Sequence, residues 1–322
     1  MTPTLAIVIV SWNVRDLLCR CLRAVQRSLA DHAIDYELLL VDNASHDGTP
    51  AMVRTEFPQV QLIEPGSNLG FAGGNNRALR LLLDRPAAAA PDYILLLNPD
   101  TEPVGAAIPH MLHALEQRPW LVALGPRLLY ADGTPQPSRR RFPSVATLFW
   151  ESTPLDRCWP SNPWARRYRC ADRVDDHEQS VDWLVGAALL VRTAAISRAG
   201  LLDERFFMYS EELEWQARLQ RAWGGGAGSA SLIAYLPSAT IIHYEGKSSE
   251  QAQAARLLNF SRSKLLLARI WYGWHLSWLL RTYLRAGFAA ELAVERTKLL
   301  LGHRPELRCQ RIHDYQRVLR EL

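Results

Sequence analysis

Three shortages narrow the classes of protein that this 322-residue sequence can encode. The five cysteines form no CxxC pair, which disfavours a zinc site and a disulfide framework and fits a reducing cytoplasm. The most apolar late segment, residues 270–280, is far shorter than the roughly 20 residues that a membrane-spanning helix needs. The first apolar stretch, residues 5–10, is too short for a secretory signal and follows no basic region. We therefore expect a cytoplasmic protein that does not cross a bilayer.

The composition and the periodicity of the first half predict an α/β fold. Hydrophobic residues make up 48% and charged residues 22% of the sequence, as in a folded globular protein. Strand-length apolar runs alternate with segments of helical periodicity, which predicts a Rossmann-like, mostly parallel sheet with helices on both faces. The predicted strands are residues 5–11, 36–41, 60–63, 93–97 and 121–124. The predicted helices are residues 16–29, 49–57, 74–83 and 104–117.

The second half of the chain changes character twice. Residues 130–182 are rich in Pro, Arg and Trp, and we interpret them as loops and short elements over the sheet rather than as a separate domain. From residue 251 the pattern is helical and rich in Arg, Leu and Trp. Between these segments, residues 181–192, 232–236 and 240–243 are predicted strands. Residues 211–223 are a predicted helix. The sequence therefore predicts one domain over residues 1–250 and a C-terminal helical extension over 251–322.

Polar residues cluster after the second, third and fourth predicted strands. Asp42 and Asn43 follow the second strand, where a carboxylate can accept hydrogen bonds from a nucleobase or ribose; the alternative is that they shape a turn and cap a helix. Asp100 follows the fourth strand, where it can hold Mg²⁺ or Mn²⁺ against a diphosphate; the alternative is again a helix cap. Because the carboxyl ends of parallel strands share one crevice, we expect these groups to face the same ligand.

The cluster after the third strand is rich in glycine and asparagine and reads NLGFAGGNN over residues 68–76. Adjacent glycines before a helix let backbone N–H groups approach an anion closely, although an ordinary glycine-rich loop gives the same pattern. The spacing is not GxGxxG, which argues against a Rossmann dinucleotide site.

Together these motifs resemble those of the family 2 glycosyltransferases, which adopt the GT-A fold. The resemblance extends from Ala6 to about Tyr272. The segments that carry it are SWN (11–13), VDNASHDGT (41–49), NLGFAGGNN (68–76), NPDT (98–101), GAA (186–188), LDERFFMYSEE (202–212) and HYEGKS (243–248). Within the family, DGT (132–134) followed by QPSRRRFPS (136–144) resembles the bacterial rhamnosyltransferase branch.

The resemblance implies a role for each matching residue. Asp42 matches the aspartate that binds the base and ribose, and Asp100 matches the last position of the DxD-type motif that binds Mg²⁺ or Mn²⁺. The first position of that motif is the uncharged Asn98, so we expect a modest metal affinity. His243 matches a histidine that often completes the metal or diphosphate site; the alternative is a histidine satisfied at a strand end. The donor-binding residues implied are Ser11, Asn13, Asp42, Asn43, Asn68, Gly70, Gly74, Asn75 and Asn98.

Two acidic residues match the catalytic position of the family. Glu211 and Glu212 match its Glu-Asp motif, whose second position is the usual base, but Glu212 stands where Asp is commoner. Ser210 and Glu214 also depart from the family pattern, so Glu211 stays in consideration as the base. The alternative is that both acids favour the positive N-terminus of the following helix, which does not exclude catalysis. The implied reaction is an inverting single displacement, in which a general base contributes about 10²–10⁴-fold.

Basic and aromatic residues indicate anionic partners. We interpret Arg139, in a run of three arginines, and Arg262, in the SRSK segment (261–264), as donor-binding residues, because guanidinium binds phosphate well. The alternative for the three consecutive arginines is that they form a solvated basic loop. In the tail, aromatic and basic residues on helices favour docking on an anionic membrane surface, with core packing between the tail helices as the alternative. These tail residues are Trp271, Tyr272, Trp274, Trp278, Tyr283, Arg269, Arg281, Arg285, Arg296 and Lys298.

The resemblance thus implies a metal-dependent, inverting glycosyltransferase at the inner face of the cell membrane. It would move rhamnose or another deoxyhexose from a nucleotide-diphosphate donor, with dTDP-rhamnose the first candidate, to a bacterial cell-surface glycan or lipid-linked acceptor. Residues 1–125 would bind the nucleotide sugar, and residues 126–250 would supply the acceptor site and base. Two alternatives stay open: a nucleotidyltransferase-type enzyme, and a non-catalytic protein that binds nucleotide sugars or glycans. We expect no nucleic-acid partner.

Overall fold

The computed structural model describes residues 4–151, 153–224, 231–244 and 253–322. Residues 245–248 of the family motif and the predicted domain boundary at residue 250 lie outside these ranges. The strands are β1 (Leu5–Ser11), β2 (Tyr36–Asp42), β3 (Gln61–Ile63), β4 (Tyr93–Leu97), β5 (Thr101–Pro103), β6 (Ala123–Leu129), β7 (Pro135–Gln136), β8 (Arg139–Arg140), β9 (Gln179–Val181), β10 (Trp183–Leu184), β11 (Ala188–Arg192) and β12 (Ile233–His243). The helices are α1 (Arg15–Leu29), α2 (Thr49–Glu56), α3 (Gly70–Leu83), α4 (Ala107–Glu116), α5 (Val145–Trp150), α6 (Pro154–Cys158), α7 (Pro163–Tyr168), α8 (Thr193–Ala199), α9 (Glu211–Trp223), α10 (Gln253–Tyr272), α11 (Trp274–Leu300) and α12 (Pro305–Glu321), with a 3₁₀ turn at Ala87–Ala89.

The chain divides into two compact units. The sheet unit comprises Met1–Phe142, Arg169–Phe207 and Glu211–Ser248, and the helical unit comprises Pro143–Tyr168, Met208–Ser210 and Ser249–Leu322. We had expected residues 130–182 to lie over the sheet. Residues 143–168 instead pack with the C-terminal helices, since the Tyr272 hydroxyl donates to the Pro143 carbonyl at 2.5 Å and the Phe149 and Tyr283 rings lie 5.3 Å apart.

The sheet of the first unit has the strand order β3-β2-β1-β4-β11-β6-β12-β5, with β7 beside β6 and β9 beside β12. Six of the eight strands in that order point one way, while β11 and β5 run against them. Along β1, Leu5, Ile7 and Ile9 pack into a core with α1 and α4, and Ala6 and Val8 pack into a second core with α3 and α9. The structure therefore confirms the predicted class, a mostly parallel sheet flanked by helices.

Several predicted elements have different bounds in the structure. The strand predicted at 181–192 is divided into β9, β10 and β11, and the strand predicted at 121–124 is β6, at Ala123–Leu129. Helix α3 begins at Gly70, four residues before the predicted start. Residues 101–103 form β5 and pair with β12, so α4 begins only at Ala107. One strand, β12, replaces the two predicted strands, and its pairing with β6 shifts register between Leu236 and Thr240. Each difference arises from a tertiary contact with a distant segment rather than from local periodicity.

The helical unit is held by α10, α11 and α12, and α11 buries Leu280, Leu284 and Leu292. None of the helices within the described ranges is both long enough and apolar enough to cross a membrane. All five cysteines are free thiols. The predicted C-terminal helical extension is confirmed.

Candidate active site

The site begins at the carboxyl ends of β1 and β2. Ser11 and Asp42 end these strands in parallel register, and the Asn43 N–H donates to the Ser11 carbonyl at 2.8 Å. Asp42 Oδ2 accepts from the Ser45 N–H at 2.9 Å. Asp42 Oδ1 and the Ser11 hydroxyl are both buried and have no hydrogen-bond partner among the described residues. Leaving a buried polar atom unpaired costs about 1–3 kcal/mol, so two side by side favour a ligand there.

The loop after β2 is held by hydrogen bonds from neighbouring loops. Asn13, at φ 51°, accepts from the His46 N–H at 2.8 Å and donates its own N–H to Ser45 Oγ at 2.9 Å. Asp47 accepts from Arg15 N–H at 2.8 Å and from Thr49. Asp47 therefore shapes the turn, as the alternative interpretation of this segment expected, and Asn13 orients the loop that carries Asp42.

The glycine-rich segment forms the first turns of α3. Asn68 Oδ1 accepts from the Gly70 N–H at 2.9 Å, and Asn43 Nδ2 donates to the Gly70 carbonyl at 3.0 Å. Gly70 has φ 72°, and a Cβ there would lie 2.2 Å from the Phe207 carbonyl oxygen. The close approach and the positive φ both require glycine at this position.

Gly74 is the fifth residue of α3, not a residue of a loop before it. Helical bonding uses its N–H at that position, so the predicted approach to an anion is replaced by a packing role. A Cβ on Gly74 would lie 2.6 Å from Val10 Cγ1. Asn75 is buried as well, and its Nδ2 donates to the Phe71 carbonyl at 2.9 Å. Gly74 therefore lets α3 pack closely against β1, and Asn75 bonds within α3.

The segment after β4 meets the end of β12. Asp100 Oδ1 lies 3.3 Å from His243 Nε2, and Asn98 Nδ2 lies 3.4 Å from the same nitrogen. Asp100 and His243 are both buried, and the Thr101 hydroxyl donates to the Asn98 carbonyl at 2.7 Å, which fixes the turn. Gln136 Oε1 lies 2.9 Å from His243 Nδ1. Because an amide oxygen only accepts, Nδ1 carries a proton and donates to it.

This geometry fits a divalent cation. With its proton on Nδ1, the His243 ring can offer Nε2 as a metal ligand, and Asp100 Oδ1 lies 3.3 Å from that nitrogen. No group of three His, Cys, Asp or Glu side chains in the described ranges could hold a metal alone. One carboxylate and one imidazole leave positions for phosphate oxygens, as Mg²⁺ sites shared with substrate phosphates do.

Two buried acids begin α9. Glu211 Oε2 and Glu212 Oε2 are buried, and neither finds a hydrogen-bond partner in the part of the chain that the structure describes. Burial, together with the charge of Glu212, raises the pKa of Glu211 well above its ordinary value. Burial also raises the pKa of Glu212, but backbone N–H groups, including that of Gly186, and the Arg140 guanidinium oppose that rise. Both carboxyl groups therefore hold a proton more readily than a solvated glutamate does.

The segment between β10 and β11 contacts both Glu212 and the NPDT loop (98–101). A Cβ on Gly186 would lie 3.4 Å from Glu212 Cβ and 3.4 Å from Phe71 Cζ. The next carbonyl, that of Ala187, accepts from the Asn98 N–H at 2.8 Å. Gly186 thus lies against α9, and its neighbour Ala187 contacts the NPDT loop.

The predicted basic residues lie in different environments. Arg139 donates to Gln179 Oε1 at 2.9 Å and to the Val174 carbonyl at 2.7 Å. Arg140 is the arginine of the run whose charge acts on Glu212. Arg262 lies on α10 in the helical unit, is exposed, and donates to the Glu321 carbonyl at 3.2 Å.

Sequence reasoning missed the roles of Gln136 and Arg140. Both stand in the QPSRRRFPS segment, which we had used to place the chain within a branch of the family and, through Arg139, as a donor-binding segment. No spacing rule joins Gln136 to His243, 107 residues later. The order of the arginines in the run likewise gives no sign that the second one acts on the acid pair.

The mostly parallel sheet flanked by helices, with its C-terminal helical extension, is the GT-A fold found in glycosyltransferases. The sequence profile of Glycosyl transferase family 2 matches residues 6–174, and the chain belongs to this family. The chain is 35% identical over 289 residues to N-acetylglucosaminyl-diphospho-decaprenol L-rhamnosyltransferase of Mycobacterium tuberculosis, covering 87% of this chain and 90% of that protein. This result confirms the predicted resemblance to rhamnosyltransferases.

Two further similarities agree with that assignment. Rhamnosyltransferase WbbL of Escherichia coli K12 is 29% identical over 182 residues, 56% of this chain and 62% of that protein. The structure of mannosyltransferase PcManGT from Pyrobaculum calidifontis, in complex with GDP-Man and Mn²⁺, superposes with a TM-score of 0.54 at 15% identity, covering 99% of this chain and 86% of that one. At that identity it shows the fold alone. The family match ends before Glu211 and His243, so the assignment of these residues rests on geometry.

Proposed function

We propose that this glycosyltransferase moves rhamnose or another deoxyhexose, with inversion, from a nucleoside-diphosphate donor to a lipid-linked acceptor. The observation that carries the proposal is the placement of two groups around residues 186–187. Gly186 lies against Glu212, and the Ala187 carbonyl accepts from the Asn98 N–H in the loop that carries Asp100, whose Oδ1 lies 3.3 Å from His243 Nε2. Direct displacement requires a base on one side of the sugar carbon and charge neutralisation on the other.

The donor nucleotide occupies the carboxyl ends of β1 and β2 in this proposal. Asp42 Oδ1 and the Ser11 hydroxyl supply unpaired polar atoms for a base and ribose, and Asn13 and Asn43 hold the loops around them. The diphosphate lies at Asp100 and His243. A divalent cation bound there, Mg²⁺ or Mn²⁺, neutralises negative charge on the departing diphosphate.

Glu212 is the base in the proposed displacement. The acceptor hydroxyl oxygen bonds to the anomeric carbon while the bond from that carbon to the diphosphate oxygen breaks, and the nucleoside diphosphate leaves with the electron pair. The hydroxyl proton passes to the Glu212 carboxylate. In this proposal Glu211 holds a proton, so that the pair carries a single negative charge, and the raised pKa of Glu211 supports that role.

The names of the relatives support the substrate classes. The Mycobacterium tuberculosis relative is named for rhamnose and for a diphosphate-linked decaprenol. We therefore propose dTDP-rhamnose as the first donor to test and a diphosphate-linked lipid carrying N-acetylglucosamine as the first acceptor. The reaction then takes place at the cytoplasmic face of the inner membrane, where the protein is peripheral.

Donor binding and transfer with the Asp100→Ala variant test this proposal. We expect dTDP-rhamnose to bind in a Mn²⁺-dependent manner to the wild-type protein, as measured by calorimetry. Asp100→Ala should lower transfer by at least about 10³-fold while the circular dichroism spectrum stays unchanged. Asp31→Ala, which removes an exposed carboxylate of the same unit, is the matched control and should transfer normally. Normal transfer by Asp100→Ala would refute the assignment, and tighter binding of another nucleotide sugar would refute the donor.

A further inference from the structure

The helical unit contains a long stretch without a single acidic residue. Residues 253–290, which include α10 and the first part of α11, carry no Asp or Glu. The basic residues of this stretch are Arg256, Arg262, Lys264, Arg269, Arg281 and Arg285. The whole chain has a net charge of only +4, so the excess of positive charge is concentrated here.

Helix α11 exposes large apolar side chains in the same stretch. Trp274 and Trp278 are each 61% exposed, and Leu279 is 51% exposed. Trp274, Trp278, Arg281 and Arg285 recur every three or four residues, so they follow one another along one exposed face of the helix. The buried apolar residues of α11 are instead Leu280, Leu284 and Leu292. These tryptophans therefore do not contribute to the core of the unit.

The tryptophan and arginine side chains of this face indicate what kind of partner it binds. Tryptophan prefers the boundary between apolar and aqueous phases, because its ring is apolar and its N–H seeks a hydrogen bond. Arginine beside it favours negative charge. A second copy of the same face is a poor partner, because an isologous contact would bring two acid-free basic surfaces together. A bilayer surface with anionic headgroups satisfies both the rings and the charges.

We propose that the face of α11 formed by Trp274, Trp278, Arg281 and Arg285 docks the protein on an anionic lipid bilayer. This inference rests on the proposed function only in that the acceptor is lipid-linked. Docking concentrates the protein on the surface that holds its acceptor. It needs neither donor nor cation, and so it can be measured separately from transfer.

Co-sedimentation of the full-length protein with vesicles tests the proposal. We expect binding to vesicles of phosphatidylcholine with 30% phosphatidylglycerol, weakened at high salt, and much weaker binding to phosphatidylcholine alone. The double variant Trp274→Ser/Trp278→Ser should bind anionic vesicles at least about tenfold more weakly. Trp120→Ser is the matched control, since Trp120 is 59% exposed in the sheet unit, and it should bind like the wild-type protein.

A second pair of variants measures how much the arginine charges contribute to vesicle binding. Arg281→Gln/Arg285→Gln should weaken binding to anionic vesicles by roughly 30-fold, because each basic residue near such a surface contributes about a fivefold factor. Arg27→Gln/Arg77→Gln removes two exposed arginines of the sheet unit and should bind normally. Asp100→Ala should also bind normally, so loss of transfer and loss of docking are distinguishable.

Three results would overturn the inference. The first is wild-type protein that does not sediment with anionic vesicles. The second is a Trp274→Ser/Trp278→Ser variant that binds vesicles as tightly as Trp120→Ser. The third is a change in oligomeric state of the tryptophan variant, measured by light scattering, without a change in vesicle binding; that result would assign the face to a second copy of the chain.

Discussion

Each of the two units buries a glutamate, and the two glutamates differ in the partners of their carboxyl groups. Glu295 in the helical unit is 1% exposed, and its carboxylate is met by Arg308 at 2.7 Å, Lys298 at 3.4 Å and Arg311 at 3.5 Å. Glu211 in the sheet unit is 3% exposed, and its Oε2 has no partner within the described ranges.

The pKa values of the two glutamates move in opposite directions. Burial raises the pKa of Glu295, but hydrogen bonds from Arg308 and Lys298 outweigh burial and leave the pKa lowered. Burial and the neighbouring charge of Glu212 leave the pKa of Glu211 well above its ordinary value. Paired burial stabilises a fold, whereas unpaired burial keeps a carboxyl group ready to exchange a proton. The contrast therefore distinguishes a structural acid from a reactive pair.

The largest expected effect comes from removing the proposed base. Glu212→Gln should lower turnover by about 10²–10⁴-fold, because the amide cannot accept the acceptor proton. Donor binding should persist, and the free energy of unfolding should stay equal or increase, because a buried charge has been removed. Steady-state kinetics with calorimetric donor binding measures both quantities. Near-normal turnover would show that Glu212 is not the base.

Glu295→Gln tests the opposite case, in which a buried glutamate contributes to stability and not to turnover. It leaves the buried Arg308 without its charged partner, and breaking a buried ion pair typically costs about 3–5 kcal/mol. We expect the midpoint of thermal unfolding to fall clearly while turnover at low temperature stays within about twofold. If Glu295→Gln lowered turnover as much as Glu212→Gln does, the distinction between a structural acid and a reactive pair would fail.

A smaller effect is expected from Gln136, which holds the ring of His243. Gln136→Leu removes the acceptor that fixes the Nδ1 proton and should weaken Mn²⁺ binding by about 10–100-fold, as judged by electron paramagnetic resonance titration. Gln136→Glu keeps an acceptor oxygen and should restore most of that affinity. Gln117 pairs with His113 at 2.8 Å on an exposed helix end, so Gln117→Leu is a control that should leave Mn²⁺ affinity unchanged.

Much of the fold could be predicted from the sequence, because its strongest signals are local. Helix α9 has the predicted bounds, and β1, β2 and β4 agree within one residue. The start of α3 was missed because glycine is a poor helix former, and here it is retained for contact with Val10. The three residues of β5 form a strand only because β12, some 140 residues later, pairs with them.

The candidate site could be predicted in its parts but not in its connections. Asp42 and Asp100 were placed at strand ends because each follows a recognisable apolar run. Its connections depend on residues that the sheet brings together from distant parts of the sequence. These connections are the contacts of residues 186–187, the hydrogen bond between Gln136 and His243, and the effect of the Arg140 charge on Glu212. The packing of residues 143–168 with the C-terminal helices also depends on such contacts, among them the hydroxyl of Tyr272.

The pH dependence of activity and stability sharpens the contrast between the two glutamate environments. A base with a raised pKa must lose its proton to act, so kcat/KM should fall about tenfold per pH unit below an inflection above the ordinary glutamate value of about 4.3. Stability should show the opposite trend. Glu211 and Glu212 contribute stability that is fully present below about pH 4.3 and is lost as pH rises through their raised folded-state pKa values.

Glu295 has the reverse sign, because its lowered folded-state pKa contributes stability above about pH 4.3 that is lost as pH falls. Denaturant unfolding across pH measures these contributions, and the variants assign them. Glu211→Gln should flatten the decline of stability on the alkaline side, whereas Glu295→Gln should flatten the decline on the acid side. An activity inflection at the ordinary glutamate pKa, together with an unchanged stability profile in Glu211→Gln, would mean that the pair is solvated and not held unpaired for proton transfer.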